Sequence, residues 1–164
     1  MAATYTPIAT TTLGSATTSY SFTSIPTTYT DLILITQLKN ATTTANIQIQ
    51  VGNGSADTGT NYSFTNMYGL GSSSGSGAAS NQNSTIIGTT FTEYGTQIVN
   101  FQNYSNTTTY KTILSRSGQG GNNTTAWVNL WRSVSAINYM TIYLASGIQM
   151  SAGSTLTLYG IKAA

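Results

Sequence analysis

From Ala45 to Val51 the chain alternates without a break, with Ala45, Ile47, Ile49 and Val51 on one side and Asn46, Gln48 and Gln50 on the other. A period of two sends one row of side chains to a core and the other to water, which is the pattern of a half-buried strand. Similar segments recur at residues 19–25, 31–38, 62–68, 85–91, 97–102, 110–116, 125–132, 137–144 and 155–161, most of them bounded by Gly, Asn, Ser or Thr. No window holds a helical period for more than about two turns. Many short strands with turn signals between them predict an all-β fold, a single β-sandwich of jelly-roll type.

Composition agrees. Thr, Tyr, Ile and Val suit a pleated surface, whereas Glu, Lys and Arg, the usual outer faces of helices, are scarce: 5% of residues are charged against about 25% in typical globular domains. The hydrophobic fraction of 39%, with 11 Tyr and 2 Trp, argues against disorder. A chain of 164 residues fits one core, predicted over residues 19–164, with residues 1–18 as an N-terminal arm or a first strand. Residues 52–61, 69–83 and 118–123, rich in Gly, Ser and Asn, read as exposed loops. A linker between two domains is the rival reading of 69–83, against which stands the small core each side would hold.

Several function classes lose their chemistry here. Lys39, Lys111, Arg116, Arg132 and Lys162 are scattered, so no basic run exists to track nucleic acid. No apolar segment approaches the roughly 18 residues of a membrane span. The N-terminus lacks the pattern of a signal peptide, and synthesis as a soluble chain in a cytoplasm is expected. With no Cys and no His, thiol nucleophiles, disulfides and the commonest general base and metal ligand are missing. The carboxylates are Asp31, Asp57 and Glu93, too few and too dispersed to suggest an acid–base pair. No enzyme, cofactor or metal site is therefore expected. Asn53, Ser55, Asp57 and Asn61 offer oxygens of a kind Ca²⁺ accepts, but a single carboxylate hydrogen-bonding its own turn is the simpler reading. Tyr62, Tyr68, Tyr94, Tyr104 and Tyr110 lie in or beside loops, where they could pack at sandwich edges or stack on sugar rings.

Two segments are apolar on both faces. In 125–132, Ala126, Val128 and Leu130 oppose Trp127 and Trp131; in 31–38, Leu32, Leu34 and Leu38 oppose Ile33 and Ile35. A sandwich strand normally wets one face, so the second must meet something. A covering loop or the N-terminal arm is one possibility. The other is a subunit interface anchored by Trp127, Trp131 and Arg132, residue types that concentrate in buried contact patches.

Three segments carry a family likeness: Tyr5-Thr6-Pro7-Ile8-Ala9, Ser24-Ile25-Pro26-Thr27-Thr28-Tyr29-Thr30-Asp31-Leu32 and Leu158-Tyr159-Gly160-Ile161-Lys162. Together they resemble small virion structural proteins of tailed bacteriophages, including those of cyanobacterial hosts. The resemblance implies a β-sandwich displayed on a virion assembled in the host cytoplasm. A capsid decoration, or cement, protein that binds the major capsid protein as a homo-oligomer, with a trimer favoured, fits best. A tail-fibre or adhesin domain binding host glycans is the alternative, with 52–61 and 69–83 as its recognition loops.

Overall fold

The computed structural model describes residues 4–162, which form two antiparallel sheets packed face to face. In chain order the strands are β1 (Tyr5–Thr12), β2 (Ser19–Phe22), β3 (Asp31–Leu38), β4 (Ala45–Gly52), β5 (Tyr62–Leu70) and β6 (Ser73–Gln82), then β7 (Thr85–Thr90), β8 (Gly95–Phe101), β9 (Lys111–Gln119), β10 (Asn123–Trp131), β11 (Tyr139–Leu144) and β12 (Thr155–Ile161). The larger sheet runs β1-β12-β3-β8-β9-β10-β5-β6 and the smaller runs β2-β11-β4-β7.

The alternation seen in the sequence is the one that packs. Ile47, Ile49 and Val51 of β4 are fully buried and meet Leu32, Leu34, Val99, Ile142, Leu156 and Leu158 in one hydrophobic core. Residues 5–12 form a first strand rather than an arm. β1 adds to the edge of the larger sheet by pairing with β12, and Pro7 is tolerated there beside a bulge.

The segment read as a loop over residues 69–83 is mostly strand. β5 and β6 pair from Tyr62↔Gln82 to Leu70↔Ser73, leaving only Gly71 and Ser72 as the turn. The run of small polar residues in β6 carries no apolar alternation because neither of its faces is deeply covered. Pairing with β5 supplies the order that side-chain burial does not.

The hairpins β5–β6 and β9–β10 both widen the larger sheet beyond β8, so its inner face outruns the four-stranded sheet opposite. From β3 and β8 across β9 and β10 part of the interior is polar. Thr36 Oγ1 donates to Gln97 Oε1 (2.6 Å), Thr85 Oγ1 donates to Asn129 Oδ1 (2.5 Å), and the Ser117 and Thr125 hydroxyls share a 2.6 Å bond. β7 presses closely on this layer. A Cβ on Gly88 would lie 2.4 Å from Ser117 Oγ, closer than van der Waals contact permits.

Candidate functional site

β10 settles which of its two apolar faces is internal. Thr125, Trp127, Asn129 and Trp131 point inward, with Trp127 at 7% and Trp131 at 2% exposure, while Ala126, Val128 and Leu130 point outward. The predicted interface anchors Trp127 and Trp131 are thus covered by the chain itself. Trp127 stacks edge-on against Phe64 and donates its Nε1–H to Thr125 Oγ1 at 2.9 Å.

Trp131 and Arg132 instead tie down the Gly- and Asn-rich segment 52–61, which is far from a loose loop. Trp131 Nε1–H (2.8 Å) and Asn61 Nδ2–H (2.9 Å) donate to Asp57 Oδ2, and the Gly59 N–H donates to Oδ1 (2.9 Å). Burial disfavours the charged form of Asp57, but the bonds from Trp131, Asn61 and Gly59 outweigh it and hold the carboxyl below its ordinary value. Arg132 donates to Ser63 Oγ, the Thr60 carbonyl and Asn81 Oδ1 at 2.8–3.0 Å. Tyr62 closes the floor. Its hydroxyl accepts from the Val51 N–H at 3.0 Å and lies 3.0 Å from the Val51 and Asp57 carbonyls. Burial pushes its pKa far above the ordinary tyrosine value.

Of the residues considered for Ca²⁺, Asn53 and Asp57 use their side-chain oxygens in the scaffold. Asn53 Oδ1 accepts from Asn138 Nδ2 at 2.8 Å, and both Asp57 oxygens are engaged. Among the described residues no group of three His, Cys, Asp or Glu side chains is placed to share a metal ion. Asp31 and Glu93 also have local partners: Asp31 Oδ1 accepts from the Asn103 N–H (2.7 Å) and Glu93 Oε2 from Gln119 Nε2 (2.8 Å).

The outward face of the larger sheet carries the uncovered apolar surface. One row across adjacent strands reads Tyr159, Ile33, Asn100, Leu114, Val128 and Thr65; the next reads Thr157, Ile35, Ile98, Arg116, Ala126 and Met67. Met67 is 65%, Val128 55% and Ile35 38% exposed. β1 is paired at the sheet edge, and within the band Ile33 is buried while Ile35, Met67 and Val128 are open. A shallow depression between Leu114, Ala126, Val128 and Met67 has Arg116 on its rim.

Arg116 differs from the other basic side chains. Lys39 and Lys162 sit over the rings of Tyr94 and Tyr29, at 4.7 and 5.9 Å from the centroids. Lys111 is buried, its Nζ donating to the Thr109 carbonyl at 2.7 Å, and burial lowers its pKa. Arg132 is bonded as above. Arg116 is exposed and has no hydrogen bond or ion pair among the described residues. It stands in the middle of the apolar band with its donors free.

No protein family, curated protein or solved structure matches this chain.

Proposed function

We propose that this chain is a structural subunit of a tailed-phage virion, a capsid decoration protein that attaches to the major capsid protein through the outer face of its larger sheet. The observation that carries the reading is the apolar band around Leu114, Val128 and Met67, left open by the fold and centred on an unpaired Arg116. Contiguous apolar surface with an embedded arginine is the composition of a contact patch, and monomeric proteins seldom leave it uncovered. The three segments that resemble phage virion proteins supply the class of partner.

We also read the strand order as a jelly roll with two insertions. Without β5–β6 and β9–β10, the sheets reduce to β1-β12-β3-β8 facing β2-β11-β4-β7, and the chain crosses between sheets at every step except β4 to β7, the pattern of two Greek keys. Such domains recur as viral building blocks.

Co-sedimentation with purified heads of the parent phage tests the reading, using the wild type and Val128→Asp. Position 128 is exposed, so the substitution removes no core packing and should lower the melting temperature by only about 2–4 °C, through the poorer strand propensity of Asp. Head binding should fall by about tenfold or more, equivalent to about 1.4 kcal/mol. Equal binding by the two proteins overturns the proposal. So does binding to host cells but not heads, which is the adhesin outcome.

A further inference from the structure

Where the larger sheet outruns the smaller one, a groove of about 420 Å³ opens between the inner side of β5 and β10 and the facing ends of β4 and β7. It lies on the opposite side of the sheet from the band around Val128, so nothing in the decoration reading bears on it.

Tyr68 forms one wall, and its seat is unusual. Gly75 is its cross-strand neighbour on β6, and a Cβ there would lie 2.6 Å from Tyr68 Oη, 2.7 Å from Cζ and 3.1 Å from Cε1. The ring therefore lies down over the glycine, in a place that any other residue at 75 would take from it. One face of the ring rests on the β6 backbone. With the side chain 39% exposed, the other face is free to receive a ligand.

Beside this platform the groove is lined by amides. The side chains of Asn46 and Asn66 make no hydrogen bond among the described residues, and Asn123 Oδ1 is buried without a partner. An amide both donates and accepts, as a sugar hydroxyl does. No Lys, Arg, Asp or Glu lines the groove. A phosphate or carboxylate placed there would be desolvated with no opposite charge to offset the loss. A flat aromatic face next to unused amides, in a site without charge, matches the apolar C–H face and hydroxyl rim of a pyranose.

We propose that this groove binds a neutral saccharide, with one sugar ring stacked on Tyr68 and its hydroxyls bonded to Asn66 and Asn123. Trp127, at the base of the groove, gives a fluorescence signal for occupancy.

The test is a titration of the full chain with glucose, galactose, mannose, N-acetylglucosamine and maltohexaose, each up to about 10 mM, a range that reaches millimolar affinities. Glucose 6-phosphate serves as the charged control. Binding is followed by tryptophan fluorescence, to which Trp131 contributes a background, and by the side-chain amide signals of Asn66 and Asn123. At least one neutral sugar should move these signals, and glucose 6-phosphate should bind more weakly than glucose. Tyr68→Ala should weaken binding by about tenfold, the loss of one stacking contact, while Tyr68→Phe stays within about threefold of wild type. Asn123→Ala provides a second variant should Tyr68→Ala misfold, and it too should weaken binding. Absence of a response to every neutral sugar overturns the proposal, as does wild-type affinity in folded Tyr68→Ala or in Asn123→Ala.

Discussion

Replacing Asp57 by alanine removes the acceptor on which Trp131, Asn61 and Gly59 converge. Hydrogen bonds to a charged group are each worth about 1.5–3 kcal/mol when buried, but these three donors are not equally placed. The Gly59 N–H and the Asn61 amide lie near solvent, and water replaces the carboxylate for them. Trp131 is 2% exposed, so its indole N–H is left without a partner, at about 1–3 kcal/mol for a stranded buried donor. The expected loss for Asp57→Ala is therefore about 2 kcal/mol, or about 4–8 °C in melting temperature for a chain of this size. Trp131→Phe removes the other partner and adds a packing loss. Because both changes delete one shared bond, a urea-denaturation cycle should return a coupling energy of about 1 kcal/mol between them. The acid limb gives an independent reading. The folded pKa of Asp57 is depressed, so its contribution is complete above the ordinary carboxylate value and is lost as the pH falls through the folded one. Asp57→Asn should thus cost most near neutrality and converge toward wild type as the pH is lowered through that window. If the single losses sum to the double loss within about 0.3 kcal/mol, Trp131 is held by packing alone and the anchoring argument fails.

Tyr62→Phe removes contacts to the Val51 N–H and two carbonyls, and should cost about 2 kcal/mol by urea denaturation. The raised folded pKa of Tyr62 means stability is complete below the ordinary tyrosine value and is lost as the pH rises beyond it, so this variant should also lose less stability in alkali than wild type. Gly52→Ala should be poorly folded at 37 °C, since its Cβ would lie 1.9 Å from the Ser55 carbonyl oxygen, a backbone atom that cannot rotate away. Thr85→Val, which removes the donor to buried Asn129, should lower stability by about 1–3 kcal/mol in thermal melts.

Strands with an apolar run bounded by turn residues were legible from the sequence. For 31–38 and 155–161 the expected and observed limits coincide, because apolar runs there end at turn residues. β6 was missed for the opposite reason: Ser-Ser-Gly-Ser-Gly-Ala-Ala-Ser-Asn-Gln has no periodicity to read, and its strand exists through pairing with β5. β10 shows a different limit. Its alternation was recognised, but with apolar residues on both faces the pattern cannot say which is inner. Packing resolves it by burying the two large indoles and leaving Val128 outside. Asp57 was read as bonding its own turn, which the Gly59 and Asn61 bonds bear out. Its third donor, Trp131, lies 74 residues away and no local signal announces it.

Both proposed surfaces trace to one architectural cause. A sandwich of equal sheets covers each inner face and needs only polar outer faces. Here the hairpins β5–β6 and β9–β10 extend one sheet without extending its partner, and that changes the accounting of exposed surface twice. On the inner side, Tyr68 and the Asn66 and Asn123 amides line a groove that the ends of β4 and β7 face without filling. On the outer side, the added strands carry Leu114, Val128 and Met67 next to Ile35 and Ile98 of β3 and β8, so a narrow apolar stripe becomes a broad band. With 5% charged residues, the chain has little charge with which to keep such a band from self-association. Monomeric proteins seldom leave such a surface uncovered, so copies of the chain should cover one another in solution. Sedimentation of the free protein tests this: wild type should associate with rising concentration and Val128→Asp should remain monomeric. A monomeric wild type at all concentrations would refute self-association through this face.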